Sequence, residues 1–317
     1  MLVSSLISSV SGRRRPARVL RSLTLLATCS AGMALPGRAQ PPAFKGGPMV
    51  ECSGLPCVNI TAAGDTHLQL LIDTGGAHSL LDASKARELG LKLEPIIGPD
   101  GKPYPSYFFA SLKDVKVGDA DLGDLKVLVI DLQPDFAKGN IPKADGTLAY
   151  TAFPDRMLRL DYKSKWVGIS DKLESAVLCP GSCGDLTTPT FGHKGPPILV
   201  TTGFAVNGKP ASMQIDTMYS GTMLVFPTSV EKLGLGTEAA STSKRYFPFT
   251  DGGVDMLEGT AASESFGDTP LLTRAKLYFA TEKVHTPEGM FDGTVGQELF
   301  AGHVITMDFH THHFWMS

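Results

Sequence analysis

The sequence predicts an all-β protein built from two similar lobes. Residues 145–170 and 292–317 both open with Asp-Gly-Thr, carry Asp before an aromatic residue and end in serine, at an offset of 147 residues. The Asp-Thr pairs at Asp73 and Asp216 repeat at a similar offset of 143 residues. A duplication of this length indicates two related domains rather than a stack of short repeats. Glycine and proline, 34 and 22 of the 317 residues, separate many short segments, as is typical of strands joined by turns.

Each repeated unit has the same predicted order of elements. An alternating strand and a turn lead to the strand that ends in Asp-Thr, and a short helix follows. The first helix is predicted over residues 83–89, with Asp82 as its N-cap. The second is predicted over residues 229–233, with Thr228 and Glu231 spaced as a capping box. Further strands, the last of them after the Asp-Gly-Thr segment, complete each unit.

The first 39 residues are predicted to be a secretory signal peptide that lies outside the fold. Several arginines precede a short apolar stretch, residues 23–35, which is too short to span a bilayer comfortably. Small residues follow at the usual cleavage spacing. The rest of the chain is predicted to divide into an N-terminal segment (40–55), an N-terminal lobe (56–172), a linker rich in Gly, Pro and Cys (173–196) and a C-terminal lobe (197–317).

After cleavage the protein is predicted to be secreted or periplasmic. A lipid anchor at Cys29 is a less favoured alternative, since Thr28 is bulkier than a lipidation site prefers. Residues 1–39 hold six arginines and no acidic residue, so 23 basic residues then face 32 acidic ones. This net charge of −9, without a basic patch, argues against nucleic-acid binding. No later apolar run reaches membrane-spanning length.

Four cysteines follow the predicted signal peptide, in two close pairs: Cys52 with Cys57, and Cys179 with Cys183. An even number in an exported protein suggests disulfide bonds, and local pairing is preferred among the three possible connectivities. A four-cysteine zinc site is the alternative, which export and the uneven spacing disfavour. No metal ion or other cofactor is predicted.

Asp73 and Asp216 occupy symmetric positions and are the candidate catalytic pair. Two carboxylates within hydrogen-bond reach cannot both ionise readily, so they share a proton. The ionised member can take a proton from water while the protonated member polarises a carbonyl group. Thr74 and Thr217 are expected to hydrogen-bond across the lobe interface. Gly75 is expected to let backbone amides approach a carboxylate.

Residues 72–76, with Ser79 following, resemble the active-site loop of pepsin-like and retropepsin-like aspartic proteases. Residues 145–149 and 292–296 resemble the family's hydrophobic-hydrophobic-glycine element, which threads beneath that loop. The short units are most similar to bacterial retropepsin-like proteins, here duplicated over nearly all of 56–317. The resemblance implies a bilobal fold of two β-barrel lobes and a monomeric endopeptidase without a cofactor. It also implies a cleft between the lobes that binds a peptide or protein substrate.

Tyr104 and Tyr107 fall where the family's hairpin flap covers the substrate. The resemblance therefore makes them candidate flap residues. The alternative is that they are strand aromatics packed on a core.

The second loop departs from the family's pattern at Met218, where the family has glycine. A side chain there is expected to crowd the backbone or change the turn, unless Ser220 or Gly221 supplies the lost freedom. Two functions therefore stay open. One is an active aspartic endopeptidase, and the other is a non-catalytic protein that holds extended peptides on the same scaffold by strand addition.

Overall fold

Strands dominate the parts of the chain that the structure describes. The computed structural model describes residues 43–98, 100–134, 143–170, 182–190, 197–235, 241–246, 253–280 and 289–317. The predicted signal peptide, Cys29 and Cys179 lie outside these ranges. Among the described residues, no helix is both long enough and apolar enough to cross a membrane.

The first lobe begins with a strand that precedes the predicted lobe boundary. Its strands are β1 (Phe44–Cys52), β2 (Leu55–Ala62), β3 (Thr66–Asp73), β4 (Leu80–Asp82), β5 (Glu94–Ile97), β6 (Pro103–Val117), β7 (Ala120–Ile130), β8 (Gly146–Ala149), β9 (Met157–Asp161) and β10 (Trp166–Ser170). Helix α1 (Ala83–Glu88) follows β4, and a 3-10 helix (Tyr150–Ala152) follows β8.

The second lobe repeats this order. Its strands are β11 (Gly184–Thr187), β12 (Val200–Val206), β13 (Lys209–Ile215), β14 (Met223–Val225), β15 (Ser241–Tyr246), β16 (Gly253–Phe266), β17 (Thr269–Ala280), β18 (Gly293–Val295), β19 (Val304–Asp308) and β20 (His313–Met316). A 3-10 helix (Pro227–Ser229) follows β14, and helix α2 (Gln297–Phe300) follows β18.

The pairing of the strands shows the duplication directly. In the first lobe β3 runs parallel to β8, β8 runs antiparallel to β4, and β4 runs parallel to β7. In the second lobe β13, β18, β14 and β17 pair in the same way. A third, antiparallel sheet joins the lobes in the order β1, β10, β9, β19, β20, β11. The all-β fold that the sequence predicts is confirmed.

Two pairs of stacked aromatic rings connect the lobes beside the third sheet. Tyr150 stacks on Phe309, and Tyr162 stacks on Phe300, with ring centroids 6.0 and 6.3 Å apart. In each pair one ring belongs to a residue that follows the Asp-Gly-Thr segment, and the other belongs to the opposite lobe. The pairs add a packed apolar contact to the hydrogen bonds of the sheet.

A continuous apolar core supports the two strands that end in the Asp-Thr loops. Alternate residues of β3 (Leu68, Leu70 and Ile72) are buried in it, as are Met213 and Ile215 on β13. Since successive side chains of a strand point to opposite faces, this alternation fixes which face of each strand meets the core. Both loops therefore leave from rigid elements.

The Asp-Gly-Thr segments form the strands β8 and β18, and their contacts explain why the triplet occurs twice. Asp145 accepts a hydrogen bond from the backbone N–H of Gln69 at 2.9 Å, and Asp292 makes the equivalent bond in the second lobe at 2.8 Å. A Cβ atom on Gly146 would lie 2.1 Å from the carbonyl oxygen of Leu80. Only glycine therefore lets β8 and β4 approach this closely.

The helix predicted after the first loop is present, and the second differs from the prediction. Asp82 caps α1 by accepting a hydrogen bond from the backbone N–H of Ser84. In the second lobe the chain forms a 3-10 helix over Pro227–Ser229 and then turns, in place of an α-helix over 229–233. Pro227 explains the earlier start, because its fixed φ favours the first helical position. The N-cap is Phe226, and Thr228 lies inside the 3-10 helix instead of capping it.

Two strands of the third sheet lie in segments predicted to be outside the lobes. Strand β1 lies in the predicted N-terminal segment, and β11 lies in the predicted linker. They occupy the two opposite edges of this sheet. Each lobe therefore begins with a strand of the sheet that joins them.

A disulfide bond links Cys52 at the end of β1 to Cys57 in β2, which is the predicted local pair. Cys183 is also disulfide-bonded. Its predicted partner, Cys179, lies outside the described residues, so that pairing stays a prediction.

Glu264 on β16 is expected to make the stability of the fold depend on pH. Its side chain is buried, and neither carboxylate oxygen has a hydrogen-bond partner among the described residues. Burial raises the pKa of Glu264 to about 7. The folded chain therefore keeps this proton to higher pH than the unfolded chain. Its contribution to stability is complete below about pH 4 and is lost as the pH rises through about 7.

Replacing Glu264 by glutamine is expected to remove this loss. The free energy of unfolding should rise by roughly 3 kcal/mol at about pH 8 and change little at about pH 4. Denaturant titrations at both pH values measure the difference. Glu231→Gln, at an exposed position, is the control. An equal effect of Glu264→Gln at both pH values would contradict the prediction.

Candidate active site

The two Asp-Thr loops meet where β3 and β13 end, and their threonines hold them together. Thr74 Oγ1 donates to the carbonyl oxygen of Ile215 at 2.9 Å and accepts from the N–H of Thr217 at 3.1 Å. Thr217 Oγ1 donates to the carbonyl oxygen of Ile72 at 2.5 Å and accepts from the N–H of Thr74 at 3.1 Å. Both side chains are fully buried. Each hydroxyl thus satisfies a donor and an acceptor of the opposite loop.

The carboxylates of Asp73 and Asp216 are each held by backbone amides of their own loop. Asp73 Oδ1 accepts a hydrogen bond from Gly76 at 2.8 Å. Asp216 Oδ1 accepts from Met218 at 2.9 Å and from Tyr219 at 3.2 Å. These bonds limit the rotation of both carboxylates and leave the second oxygen of each available for other partners.

The Asp216 carboxylate lies directly against the loop of the first lobe. A Cβ atom placed on Gly75 would be 2.5 Å from Asp216 Cγ and 2.7 Å from each of its carboxylate oxygens. Gly75 does not have a left-handed φ. Glycine is therefore required at this position for space and not for backbone conformation, and this close approach brings Asp216 next to Asp73.

Electrostatics favour a shared proton between the two carboxyl groups. Burial and the negative charge of Asp216 raise the pKa of Asp73 well above its ordinary range. Burial also raises the pKa of Asp216. The backbone amides that donate to each carboxylate oppose these shifts without cancelling them. A pair of this kind ionises in two separate steps, and one proton stays on the pair over a wide pH range.

The strands β8 and β18 support the loops from below. In the first lobe Asp73 lies opposite Ala149 in the parallel pair, and the N–H of Ala149 donates to the buried Ser79 Oγ at 3.0 Å. In the second lobe the N–H of Asp216 donates to the carbonyl oxygen of Val295 at 3.0 Å. The backbone of each aspartate is therefore adjacent to a strand, β8 or β18, that is itself hydrogen-bonded within its lobe.

Met218 does not distort the second loop, contrary to the crowding expected from the sequence. Its φ is not left-handed, so a side chain is tolerated, and its N–H reaches Asp216. Its side chain is partly buried and packs on an apolar cluster of the first lobe. Ser220 is exposed, and neither it nor Gly221 has a left-handed φ. The compensation expected at these two residues is therefore not needed.

Tyr104 and Tyr107 lie on the hairpin formed by β5 and β6, in which Ile97 is opposite Pro103. Their side chains are 46% and 48% exposed, and their rings meet edge to face with centroids 6.2 Å apart. The alternative of strand aromatics packed on a core is therefore wrong. Their predicted contact with a substrate stays a prediction.

Two contacts at the site were not predicted from the sequence. Gln214 Nε2 donates to the carbonyl oxygen of Gly75 at 3.3 Å, which adds a link between the lobes. His78, after the first loop, meets Phe109 of β6 edge to face at 5.9 Å, and so ties the hairpin to that loop. Burial and the charge of Lys126 lower the pKa of His78. Gln214 is the one polar residue among residues 213–215, which lead to Asp216. This polar side chain next to the second loop was the sequence signal that could have indicated the contact.

The chain is similar to known proteins in the sequence of one segment and in its fold. Residues 58–150 match the family described as aspartyl protease. The aspartic proteinase from Irpex lacteus has a similar crystal structure, with 14% sequence identity over 87% of this chain and 97% of that chain, and a TM-score of 0.50. Basic 7S globulin from soybean aligns over 87% of this chain and 93% of its own at 10% identity, with a TM-score of 0.41. No match is found among curated protein sequences.

Residues 58–150 match the aspartyl protease family, and the likeness to the Irpex lacteus structure shows that the chain has the aspartic proteinase fold. The family match covers the first loop and the β5–β6 hairpin, and the structural likeness extends the fold to the second lobe. The resemblance that the Asp-Thr loops suggested is thereby confirmed for residues 58–150 and for the fold.

Proposed function

We propose that the protein is an exported aspartic endopeptidase that hydrolyses peptide bonds with a water molecule activated between Asp73 and Asp216. The observation that carries the proposal is the pair of carboxyl groups with raised pKa values on loops locked together by Thr74 and Thr217. Neighbouring carboxyl groups with strongly shifted pKa values cluster at functional sites, so this arrangement points to function.

The reaction follows from one proton shared by two carboxyl groups. The ionised carboxylate removes a proton from the water as the water oxygen attacks the peptide carbonyl carbon. The protonated carboxyl group donates a hydrogen bond to the carbonyl oxygen, which takes up negative charge. Transfer of a proton to the amide nitrogen then lets the carbon–nitrogen bond break. No covalent intermediate or metal ion is needed.

The substrate is proposed to be an extended peptide or protein segment bound between the lobes. The β5–β6 hairpin, with the exposed Tyr104 and Tyr107, is the proposed cover of that segment. The disulfide bond between Cys52 and Cys57 supports export, since such bonds persist in oxidising compartments. Sequencing the N-terminus of the protein released by its host would test cleavage after residue 39.

Digestion of an unfolded protein mixture tests the activity. Wild-type protein is expected to produce new peptide termini, which mass spectrometry detects, between about pH 3 and pH 8. The rate should fall at high pH as the shared proton is lost, and this fall should lie above the usual range for isolated aspartates because both pKa values are raised. Absence of cleavage at every pH, with peptide binding retained, would favour the non-catalytic peptide binder.

The close approach of Gly75 to Asp216 makes a sharp prediction about the geometry of the pair. Gly75→Ala is expected to lower kcat roughly a hundredfold, because the new Cβ would displace the Asp216 carboxylate. Steady-state kinetics measure the loss, and the melting temperature checks the fold. Gly47→Ala is the control, since its Cβ would meet its nearest neighbour at 3.4 Å. An unchanged kcat in Gly75→Ala would show that the loops do not approach in this way.

A further inference from the structure

The two active-site loops are tied to the opposite lobes by chemically different contacts. In the duplicated sequence Leu71 corresponds to Gln214, and Gly75 corresponds to Met218. Gln214 Nε2 donates to the carbonyl oxygen of Gly75, while its Oε1 accepts from Thr294 Oγ1 at 3.2 Å. The symmetric positions, Leu71 and Met218, belong to an apolar contact instead. The first loop is thus held by the polar contact of Gln214 with Gly75, and the second loop is held by the apolar contact of Met218 with the first lobe.

The apolar contact lies on a corner of the first lobe that a disulfide bond braces. Met218 packs against a cluster of nearly fully buried residues: Cys52, Leu55, Cys57 and Leu71. The bond between Cys52 and Cys57 closes the hairpin of β1 and β2 at this cluster. A surface made of a cross-linked hairpin and a core strand can move little, so a side chain packed on it is held in place.

The backbone of the same residue holds the candidate catalytic group. The N–H of Met218 donates to Asp216 Oδ1 at 2.9 Å. The position of this N–H therefore depends on where the side chain of Met218 is seated. A flexible, unbranched methionine fills an irregular gap well, and glycine at this position would leave the cluster uncovered.

We propose that Met218 is a positioning residue, which seats the Asp216 loop on the disulfide-braced corner and so aims the Asp216 carboxylate. The proposal rests on the proposed function, because it assigns Met218 a part in that reaction. The residue that departs from the family's pattern is then a working part of this site rather than a defect. Small displacements of a reacting group are costly, since about 1 Å can change a rate a hundredfold.

Kinetics of three variants test the proposal. Met218→Ala is expected to lower kcat at least about tenfold and to leave KM within about twofold, since the side chain aims a reacting group rather than binding substrate. Met218→Leu should restore most of kcat, because it refills the same space. Met290→Ala, at an exposed methionine, is the control and should keep the wild-type kcat. An unchanged kcat in Met218→Ala, or an equal loss in Met218→Leu, overturns the proposal.

A double-mutant cycle tests whether the disulfide-braced corner is the partner. In a Cys52→Ala/Cys57→Ala background, Met218→Ala should lower kcat by clearly less than about tenfold. The apolar cluster against which Met218 packs is already loosened in that background. If Met218→Ala lowers kcat equally in both backgrounds, the disulfide-braced corner is not the partner of Met218. If the cysteine variant does not fold, Leu55→Ala in the same cluster provides the background.

A measurement that needs no activity separates this proposal from the proposed function. The amide proton of residue 218 reports ionisation of Asp216, because it donates to that carboxylate. In a pH titration by NMR, the chemical shift of this amide proton changes as Asp216 ionises. The size of that change should fall by about half or more in Met218→Ala and should persist in Met218→Leu. An unchanged shift in Met218→Ala overturns the role of Met218. An inactive wild type would overturn the proposed function, and this titration would still decide the role of Met218.

Discussion

Replacing either Asp73 or Asp216 by asparagine is expected to lower kcat roughly a thousandfold or more. Asparagine can neither accept the proton of the attacking water nor hold the shared proton, so each substitution removes one half of the pair. The two variants should be about equally inactive, because residues that act as a unit do not contribute independently. Initial rates of peptide cleavage measure the loss.

The same variants are expected to keep their fold, which separates a catalytic from a structural effect. A carboxyl group whose pKa is raised in the folded state contributes stability below its unfolded pKa and loses it as the pH rises through the folded pKa. Asp73→Asn removes this loss, so its free energy of unfolding at neutral pH should equal or exceed that of wild type. Asp65→Asn is a suitable control, because Asp65 is exposed and has the left-handed φ that asparagine also tolerates.

Two outcomes would contradict the pair. Full activity in Asp216→Asn, with none in Asp73→Asn, would mean that the second lobe supplies no catalytic group. A site built from Asp73 of two copies of the chain would then explain the data better. Activity in both variants would exclude these carboxylates altogether.

The sequence predicted the features that depend on local pattern or on the duplication. The Asp-Thr loops, the Asp82 cap of α1 and the local disulfide pair each need only a few neighbouring residues to be read. The pairing of the loops followed from their nearly equal offsets, since equivalent positions of two repeated units are related by symmetry. These features also position the site, so its main parts could be predicted.

The features that were missed depend on partners far away in the sequence. Strand β1 begins with Phe-Lys-Gly-Gly-Pro, which contains little strand-forming signal, and its partner β10 is more than a hundred residues away. The seat of Met218 is formed by the other lobe, so the sequence showed only that glycine was replaced. The 3-10 helix at Pro227 was missed because the capping pattern at Thr228 outweighed the proline.

Thr217→Val is expected to show how strongly the two loops depend on each other. Valine has nearly the shape of threonine but no hydroxyl, so it would leave the buried N–H of Thr74 and the carbonyl oxygen of Ile72 without their partner. Each unsatisfied buried group costs about 1–3 kcal/mol, which predicts a loss of roughly 2–6 kcal/mol in the free energy of unfolding. Denaturant unfolding measures this loss.

Thr217→Ser is the matched control, since it keeps the hydroxyl and removes only a methyl group. It should retain most of the stability and most of kcat, whereas Thr217→Val should lose both, because a loosened loop no longer aims Asp216 at Asp73. If serine and valine cost the same, packing of the methyl group would explain the stability and the reciprocal hydrogen bonds would not. If valine lowered stability and left kcat unchanged, the geometry of the carboxyl pair would not depend on this link. The hydrogen bonds between Thr74 and Thr217 would then stabilise the fold without contributing to catalysis.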